Sequence, residues 1–412
     1  MINNQRINDV GIIALSVAYL SHFMFYSQRS MRILSVYFLA LIFLTVIILI
    51  ILLSKKENID SILNDRRFHY FNDTIEISSR ILLYKAYCVL PNVLQSKMSK
   101  NLSNYERITL VIHISSDYLD ERLIAQANAW DGPISLSIVV PPNNFTTAIN
   151  EAKAKIFDYA PFIETKLSAH FIYRNIDGCT GKSTATDQQF DRLYPINVAR
   201  NVARLLSWTK YILIADYEYI FSEGFEARML DLATTILDEN PKTALVFRIF
   251  EANGTINEMP RTKRTLYDAY KRGDAIEFHD KYVNGAHSIP GLKDWFERNV
   301  TNPSLSTTLS YKRHNWEPQF VALSTIPFHD ENFPYPIRDN TELRWEMCRL
   351  NYTFQLVDDL FMVHPGIKKK VGALSELKKI AWKSFHSALQ QFNRRMDICC
   401  QKTKSICPRF RA

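Results

Sequence analysis

Short apolar runs alternate with amphipathic stretches through the middle of the chain, from about residue 107 onward. Runs of strand length that are rich in β-branched and aromatic residues occur at 109–114, 134–140, 169–174, 211–216 and 243–250. Helical periodicity occurs between them, at 120–130, 146–159, 195–206 and 225–237. This alternation predicts an α/β domain with a mostly parallel central sheet, which we assign to residues 106–372.

A different pattern occupies residues 33–53, which form an uncharged and almost wholly aliphatic or aromatic run. About 20 such residues can cross a bilayer as a helix, whereas a signal peptide has a shorter apolar core and a cleavage site of small residues. We therefore predict an uncleaved transmembrane anchor that follows a cytosolic segment at 1–32. A weaker apolar stretch at 10–26 is open to three interpretations: a second short span, an interfacial helix or an apolar tail.

Sequons for N-glycosylation fall only after this anchor. They are Asn72, Asn101, Asn144, Asn253, Asn299 and Asn351. Because sequons matter only in a lumenal or extracellular chain, they support a lumenal body behind a single-pass, type II anchor, although several would arise by chance. Residues 54–105 are mixed and polar, as is typical of a stem, and include a helical-looking stretch at 75–93.

The net charge of +8 invites a nucleic-acid interpretation, but the basic residues are spread out and no recognition helix or zinc-finger pattern is present. Local attraction for a sugar diphosphate or an anionic acceptor is a smaller claim that this charge supports. Six cysteines without Cys-x-x-Cys spacing argue against a disulfide scaffold and a zinc site, and predict one or two disulfides of undetermined pairing. The basic tail at 373–412, with a helical-looking stretch at 374–392, indicates no chemistry; a structural tail, a partner contact and a membrane-proximal segment stay open.

Two carboxylates, Asp216 and Glu218, stand at the end of the predicted strand 211–216. Alternate side chains of an extended chain share a face, and ligands of open α/β sheets bind beyond the carboxyl ends of the strands. The pair therefore indicates a site for a divalent metal and a phosphorylated ligand, provided that the extended conformation persists to Glu218. A solvated loop is the competing interpretation of an isolated acidic pair.

The helix predicted at 195–206 carries a polar stripe at helical spacing, just before that strand. Its members are Asn197, Arg200, Asn201 and Arg204. Such a stripe is usually a solvated surface. Guanidinium and amide groups in this position would equally suit a diphosphate, which arginine binds through two parallel hydrogen bonds. The residues alone leave both interpretations open.

Several motifs follow one another in order along the chain. The leading pair is Leu193-Tyr-Pro-Ile-Asn-Val-Ala-Arg-Asn-Val-Ala-Arg204 and Tyr211-Ile-Leu-Ile-Ala-Asp-Tyr-Glu218. The others are Trp130-Asp-Gly-Pro-Ile-Ser135, Asn284-Gly-Ala-His287, Trp316-Glu-Pro318, His329-Asp-Glu-Asn-Phe333 and Phe361-Met-Val-His-Pro-Gly-Ile-Lys368. Together they resemble glycosyltransferase family 49, the LARGE-type and β-1,4-glucuronyltransferase-like enzymes, over about residues 107–370.

This resemblance implies a GT-A fold that uses a UDP-sugar donor and Mn²⁺ or Mg²⁺. Asp216, Glu218 and His364 would hold the metal, and an imidazole ligand favours Mn²⁺. The residues implied to face the nucleotide or its phosphates are Asn197, Arg200, Asn201 and Asp216. Glu218 departs from the family, which usually has the shorter aspartate there, so the metal must shift or the backbone must retreat.

The resemblance also implies inversion at the anomeric carbon, which requires a carboxylate that accepts the proton of the acceptor hydroxyl. Asp330 and Glu331 are the candidates, with Asp330 ahead, and the alternative is that His329 and Asp330 form a loop pair bonded to backbone. Trp316, Glu317 and His287 are assigned to the acceptor or donor pocket, although a core position is the commoner fate of a tryptophan.

The function that follows is transfer of glucuronic acid or N-acetylglucosamine from a UDP-sugar to a glycan on glycoproteins, by a Golgi type II membrane enzyme. Nucleic acid is not expected as a partner, and association with itself or with other transferases is open. The alternative is a catalytically silent, membrane-anchored paralogue that binds a glycan or a partner protein. A metal-dependent phosphodiesterase or nuclease ranks below both, because it would need more carboxylate and histidine ligands near Asp216.

Overall fold

The computed structural model describes residues 81–141, 145–175, 179, 193–283, 285–298, 303–311, 313–368 and 374–412. The predicted anchor at 33–53 and the stretch at 10–26 lie outside these residues. Within the described ranges, no helix has the length and apolar character that crossing a membrane requires. The described residues all belong to the compact unit Ser78–Ala412.

Of the predicted sequons, some lie inside the described residues and some outside them. Asn72, Asn144 and Asn299 lie outside the described residues. The asparagines of the other three, Asn101, Asn253 and Asn351, are exposed at the surface of the domain.

The described residues form strands and helices in alternation. The strands are β1 (Leu82–Tyr84), β2 (Tyr87–Leu94), β3 (Ile108–Ser115), β4 (Ile134–Val139), β5 (Leu167–Arg174), β6 (Tyr211–Ile214), β7 (Ile220–Phe221), β8 (Thr243–Ala252), β9 (Ala275–Glu277), β10 (Leu305–Leu309), β11 (Gln319–Leu323) and β12 (Thr353–Pro365). The helices are α1 (Arg122–Asn128), α2 (Phe145–Ile163), α3 (Ile196–Leu205), α4 (Phe225–Glu239), α5 (Lys263–Arg272), α6 (Leu292–Glu297), α7 (Thr341–Arg349) and α8 (Leu374–Cys399). Each strand and helix predicted between residues 107 and 250 is present, with ends that differ by a few residues.

One sheet contains these strands in the order β1-β2-β5-β4-β3-β6-β11-β8-β12-β10, with β7 beside β12 and β9 beside β8. The strands β5, β4, β3 and β6 are parallel, as are β8 and β12. The other pairs in the described part of the chain are antiparallel. The α/β prediction is confirmed, but a mostly parallel sheet is wrong: the sheet is mixed, because β11 returns antiparallel between β6 and β8.

The central strands supply a rigid base for the ends of the sheet. All ten residues of β8 are buried, and β3 is buried from Ile108 to Ile114. Since successive side chains point to opposite faces, such strands are covered on both faces, which explains their near-continuous apolar sequences. Loops that leave the carboxyl ends of β3 and β6 are therefore fixed at their starting points.

At the amino-terminal edge of the sheet, the helix predicted at 75–93 is wrong from residue 82 onward, and residues 54–80 of the predicted stem lie outside the described residues. Residues 82–84 and 87–94 are strands, and β2 pairs antiparallel with β5 through Cys88 to Tyr173 and neighbouring residues. The register shifts between Leu90 and Leu94, where Pro91 cannot donate to the ladder. Pairing with a distant strand decided this segment, because the local apolar spacing also fits a helix.

The carboxyl-terminal tail is part of the core rather than a peripheral segment. The buried positions of α8 recur at helical spacing and join the large cluster beneath the sheet: Ala381, Phe385, Ala388, Phe392 and Met396. The guanidinium of Arg349, which is buried, donates to the carbonyls of Met396 and Cys400 at 2.7 and 2.9 Å. Of the three roles left open for the tail, these contacts support the structural one.

All six cysteines are paired, which exceeds the predicted one or two disulfides. The pairs are Cys88–Cys179, Cys348–Cys407 and Cys399–Cys400. The second pair joins α7 to the tail, and the first joins β2 to the segment after β5. Sequence spacing alone did not determine these pairings, because partners are brought together only by the fold.

Gly132, in the turn before β4, sits against backbone that cannot retreat. A Cβ at this position would lie 2.6 Å from the carbonyl oxygen of Ile108 and 2.9 Å from Cγ of Glu226. Glu226 is fully buried; it accepts hydrogen bonds from Arg107 at 2.8 and 2.6 Å and from the backbone N–H of Ile108 at 3.0 Å. The glycine is therefore required by space.

We expect Gly132→Ala to lower the free energy of unfolding by about 1–3 kcal/mol, because the added methyl overpacks a fixed contact. Urea unfolding of the full chain would measure it. Gly254→Ala is the matched control, since its Cβ would come no closer than 3.9 Å to another heavy atom and should change stability little. Equal stability of the two variants would show that the Ile108 carbonyl can move.

Candidate active site

The backbone turns immediately after the predicted acidic strand. β6 ends at Ile214, and Glu218 has a φ of +87°, in the left-handed region that an extended strand never enters. Its carboxylate oxygen Oε2 lies 2.6 Å from Nη1 of Arg122. The expectation that Asp216 and Glu218 share one face is therefore wrong for this conformation, because the extended conformation ends before Glu218.

Asp216 has a cationic and an imidazole group beside it. Its Oδ1 lies 3.5 Å from Nη2 of Arg200 and 3.7 Å from Nε2 of His113, and its side chain is 51% exposed. Burial by the surrounding residues works to raise the pKa of Asp216, but His113 and Arg200 outweigh it and hold that pKa well below its usual range. The carboxylate is therefore ionised at any pH at which the protein would work.

The polar stripe of α3 is buried, so a solvated surface is wrong as its explanation. Asn201 exchanges hydrogen bonds with the backbone of His329, at 2.9 and 3.0 Å. Arg204 donates to the carbonyls of Ser324 and Pro327 at 2.7 and 2.6 Å, and also to that of Ile326. These two side chains fasten the segment 324–331 to the helix.

Asn197 and Arg200 make the contacts of the stripe that lie towards the site. Asn197 donates to the backbone carbonyl of Asp330 at 3.0 Å and accepts from Arg200 at the same distance. Arg200 also donates from Nη1 to the carboxylate of Asp339 at 3.0 Å, while its Nη2 reaches Asp216. Arg200 thus joins two carboxylates, and it is the member of the stripe that contacts Asp216.

Asp339 was not singled out by the sequence. It lies in the loop before α7, in the stretch Ile337-Arg-Asp-Asn340, which carries no chemical pattern of its own. Burial raises the pKa of Asp339, the nearby charge of Arg200 opposes this, and Glu317 and Asp216 add like-charge repulsion. Only the approach of this loop to α3 reveals it.

Asp330 and Glu331, the predicted proton acceptors, are both engaged in other contacts. Asp330 accepts from Arg395 at 3.2 Å and from the side chain and backbone of Asn332 at 2.9 and 3.1 Å. Glu331 accepts hydrogen bonds from Lys85 at 2.5 Å and from the side chains of Tyr84 and Asn201. Their carboxylates fasten the tail and the β1–β2 hairpin, and the role of base stays a prediction that these contacts do not favour.

The residues assigned to a sugar pocket separate into two groups. Trp316 is 3% exposed and packs against Tyr311 and Phe354 in the core, so the core alternative is correct for it. Glu317, by contrast, keeps a carboxylate that is 29% exposed, with Nε2 of His287 at 3.7 Å from its Oε2. The pocket assignment of the carboxylate and its histidine neighbour stays a prediction.

His364 has the geometry of a potential metal ligand. Its Nδ1 lies 3.0 Å from the carbonyl oxygen of Gly366, which can only accept, so Nδ1 carries the proton and Nε2 keeps the lone pair. Burial and the charge of Lys368 lower the pKa of His364, which favours the neutral form that binds metals.

The donor types of Asp216 and His364 suit Mn²⁺, whereas Glu218, the third predicted ligand, is engaged with Arg122. Among the described residues, no three side chains of aspartate, glutamate, histidine or cysteine come close enough together to hold a metal ion. Glu218 is turned to Arg122 instead. Asp216 offers a carboxylate and His364 an imidazole, donor types that such an ion accepts, and substrates and water commonly complete its shell.

A family model described as "Glycosyl-transferase for dystroglycan", glycosyltransferase family 49, matches residues 107–398. The chain belongs to this family. It is therefore a glycosyltransferase, and the resemblance of the ordered motifs is confirmed.

Individual relatives of this family 49 glycosyltransferase are distant. Beta-1,4-glucuronyltransferase 1 of Mus musculus is 22% identical over 349 residues, which cover 74% of this chain and 79% of the relative. Xylosyl- and glucuronyltransferase LARGE1 of Gallus gallus is 25% identical over 262 residues, 62% of this chain and 31% of the relative. Among solved structures, S. aureus TarS 1-349 matches with a TM-score of 0.36 and 9% identity, over 74% of this chain and 70% of that one. Family membership and the mixed α/β sheet together support a GT-A-like domain.

Proposed function

We propose that this glycosyltransferase transfers glucuronic acid, or N-acetylglucosamine, from a UDP-sugar to a glycan on a glycoprotein, with inversion and with a divalent metal. The observation that carries the proposal is the ionised, half-exposed carboxylate of Asp216 just beyond the carboxyl end of β6. Ligands of open α/β sheets bind at such a place. Glucuronic acid is the preferred donor sugar because both relatives named above are called glucuronyltransferases.

The polar groups around Asp216 suit a nucleotide diphosphate. Asp216 and Nε2 of His364 would hold the metal, which when bound would supply positive charge for the leaving diphosphate. Arg200 lies beside Asp216, and the charge of Lys368 also acts on that carboxylate. Two cations and one metal would offset the charge of a diphosphate better than the cations could alone.

We also propose the Golgi membrane as the location, with a type II anchor at 33–53 and the transferase domain in the lumen. Support comes from the apolar run itself and from the exposed asparagines of the sequons Asn101, Asn253 and Asn351. Three disulfides in one domain are also expected of an oxidising compartment.

A second candidate function has an observation in its favour. The ion pair between Glu218 and Arg122 withdraws one predicted metal ligand, as would be expected of a paralogue that keeps the fold and binds a glycan or partner without turnover. Asp216, which stays ionised and accessible, favours the enzyme.

Release of UDP by the purified full chain would test the proposal. With Mn²⁺, a panel of UDP-sugars and simple glycan acceptors, we expect acceptor-dependent release from UDP-glucuronic acid or UDP-N-acetylglucosamine, and loss of release on addition of EDTA. Calorimetric titration with UDP, with and without Mn²⁺, is the companion measurement. Absence of both turnover and Mn²⁺-dependent UDP binding would favour the silent paralogue.

A further inference from the structure

Glu317 is held at the edge of the site by contacts on both sides. Its backbone N–H donates to the carbonyl of Ala286 at 2.7 Å, and its own carbonyl accepts from Nδ1 of His287 at 2.8 Å. These two bonds join the start of β11 to the segment 285–287. The backbone of Glu317 is therefore held in place, although this residue lies outside a strand, and its carboxylate extends from a fixed position.

His287 presents a lone pair to that carboxylate. Because Nδ1 donates to a carbonyl oxygen, Nδ1 carries the proton and Nε2 is an acceptor. Nε2 is buried without a hydrogen-bond partner and lies 3.7 Å from Oε2 of Glu317. Burial lowers the pKa of His287 to about 3, so the ring is neutral and Nε2 keeps its lone pair. Two acceptors thus face each other at 3.7 Å, and a proton on Glu317 would replace their repulsion by an attraction that lets them approach to hydrogen-bond distance.

The other carboxylates near the site form salt bridges with arginine or lysine. Asp339 is paired with Arg200 at 3.0 Å. Asp330 and Glu331 are paired with Arg395 and Lys85. In the described part of the chain no lysine or arginine forms a salt bridge with Glu317, and its imidazole neighbour His287 is neutral. Asn340 donates to Oε2 of Glu317 at 3.4 Å, which orients the carboxylate without removing its basicity.

We infer that Glu317 is the general base of the transfer reaction and that His287 is its positioning residue. The inference rests on the proposed function. Oε2 of Glu317 takes the proton of the acceptor hydroxyl while that oxygen forms its bond to the anomeric carbon of the donor. The bond from the anomeric carbon to the diphosphate breaks, and its electron pair leaves with UDP. The protonated carboxyl of Glu317 is then held by a hydrogen bond to Nε2 of His287 until the proton passes to solvent.

This assignment replaces Asp330 and Glu331 as the predicted base. Burial raises the pKa of Glu317 and the charge of Asp216 adds to this, whereas Arg344, Asn340 and Arg200 oppose it. A base whose pKa is moved towards neutrality is a better proton acceptor than an ordinary exposed carboxylate.

The test compares Glu317→Gln with Asp330→Asn in the full chain. Glutamine keeps the shape and can still accept from Asn340, so the UDP dissociation constant should change less than about twofold. With a hydroxyl acceptor, kcat should fall by about 10²–10⁴-fold, which is the usual effect of losing a general base. Asp330→Asn should keep kcat within about tenfold of the wild type. A kcat for Glu317→Gln within tenfold of wild type would overturn the inference.

An acceptor with a thiol in place of the reacting hydroxyl separates a base from a merely structural residue. A thiol ionises near neutral pH and needs little help, so the loss in Glu317→Gln should shrink by at least about tenfold with this acceptor. Equal loss with both acceptors would overturn the inference. A wild-type chain that fails to turn over either acceptor would instead refute the proposed function, a result distinct from both.

His287→Ala supplies a readout that depends on the proton. Without the acceptor Nε2, the protonated form of Glu317 loses a hydrogen bond, so the acidic limb of the pH profile of kcat/KM should move to lower pH. The charged and polar neighbours Arg344, Arg200, Asp216 and Asn340 are unchanged in this variant. An unmoved limb in a folded variant would remove His287 from the mechanism.

Discussion

Asp216→Asn is expected to reduce kcat by about 10³-fold and to abolish the Mn²⁺ dependence of UDP binding. A metal that polarises a leaving group supplies several kcal/mol, and each 1.4 kcal/mol corresponds to about a factor of ten in rate. The substitution keeps the size of the side chain and removes the charge that Arg200 and His113 hold in the ionised state. Steady-state UDP release and calorimetric titration with UDP measure the two effects.

Glu218→Gln is the matched control, because it alters the other predicted metal carboxylate two residues away. Glu218 is paired with Arg122, so its loss should reduce kcat by less than about tenfold. Equal losses in both variants would show that Glu218 leaves Arg122 when the donor binds. A kcat for Asp216→Asn within tenfold of the wild type would contradict the assignment of Asp216.

Arg200→Met is expected to lower the free energy of unfolding by about 3–5 kcal/mol at neutral pH, because removal of one partner leaves a buried charge unpaired. Arg200 has two carboxylate partners, and the more buried of them is Asp339, which accepts from Arg200 at 3.0 Å. Donor binding should weaken as well, since Arg200 lies beside Asp216. Urea unfolding and titration with UDP measure these two losses.

The stability loss in Arg200→Met should depend on pH with a definite sign. Burial already raises the pKa of Asp339, and loss of Arg200 raises it further. A carboxyl whose pKa is higher in the folded chain binds more protons when folded, so stability increases as pH falls through the folded value towards the unfolded one. The variant should therefore recover part of its stability between pH 7 and pH 4, relative to the wild type.

Arg204→Met is the control for that variant, one helical turn away. Arg204 is equally buried, but its partners are backbone carbonyls of residues 324, 326 and 327. It should lose stability without the recovery at low pH, and the folded fraction should bind UDP normally. If both variants lost stability with the same pH dependence, Asp339 would not be the cause.

Much of the fold followed from local pattern. The runs 109–114 and 134–140 became β3 and β4 because apolar strands of that length have few other stable arrangements in water. The helix at 195–206 formed as predicted, since its apolar residues face the sheet. The segment 82–94 was wrongly predicted as a helix because its strand structure depends on β5, about 80 residues away. No local pattern in the sequence indicates such a partner.

The sequence identified several residues of the site, and the structure showed which groups each of them contacts. Asp216, Glu317 and His287 were all chosen from the sequence, and the fold brings the last two within 3.7 Å. Asp330 was chosen for its residue type, but Arg395 of the last helix occupies it. Residue type shows which chemistry is available, and it does not show which groups are already paired.

The sequence by itself determined the alternation of strands and helices, the family, and the position of Asp216 after a buried strand, because each depends on neighbours along the chain. Tertiary structure decided the direction of β11, the burial of α8, the pairing of six cysteines and the turn at Glu218. These features depend on groups far apart in sequence, whose contact energies compete only once the chain is folded.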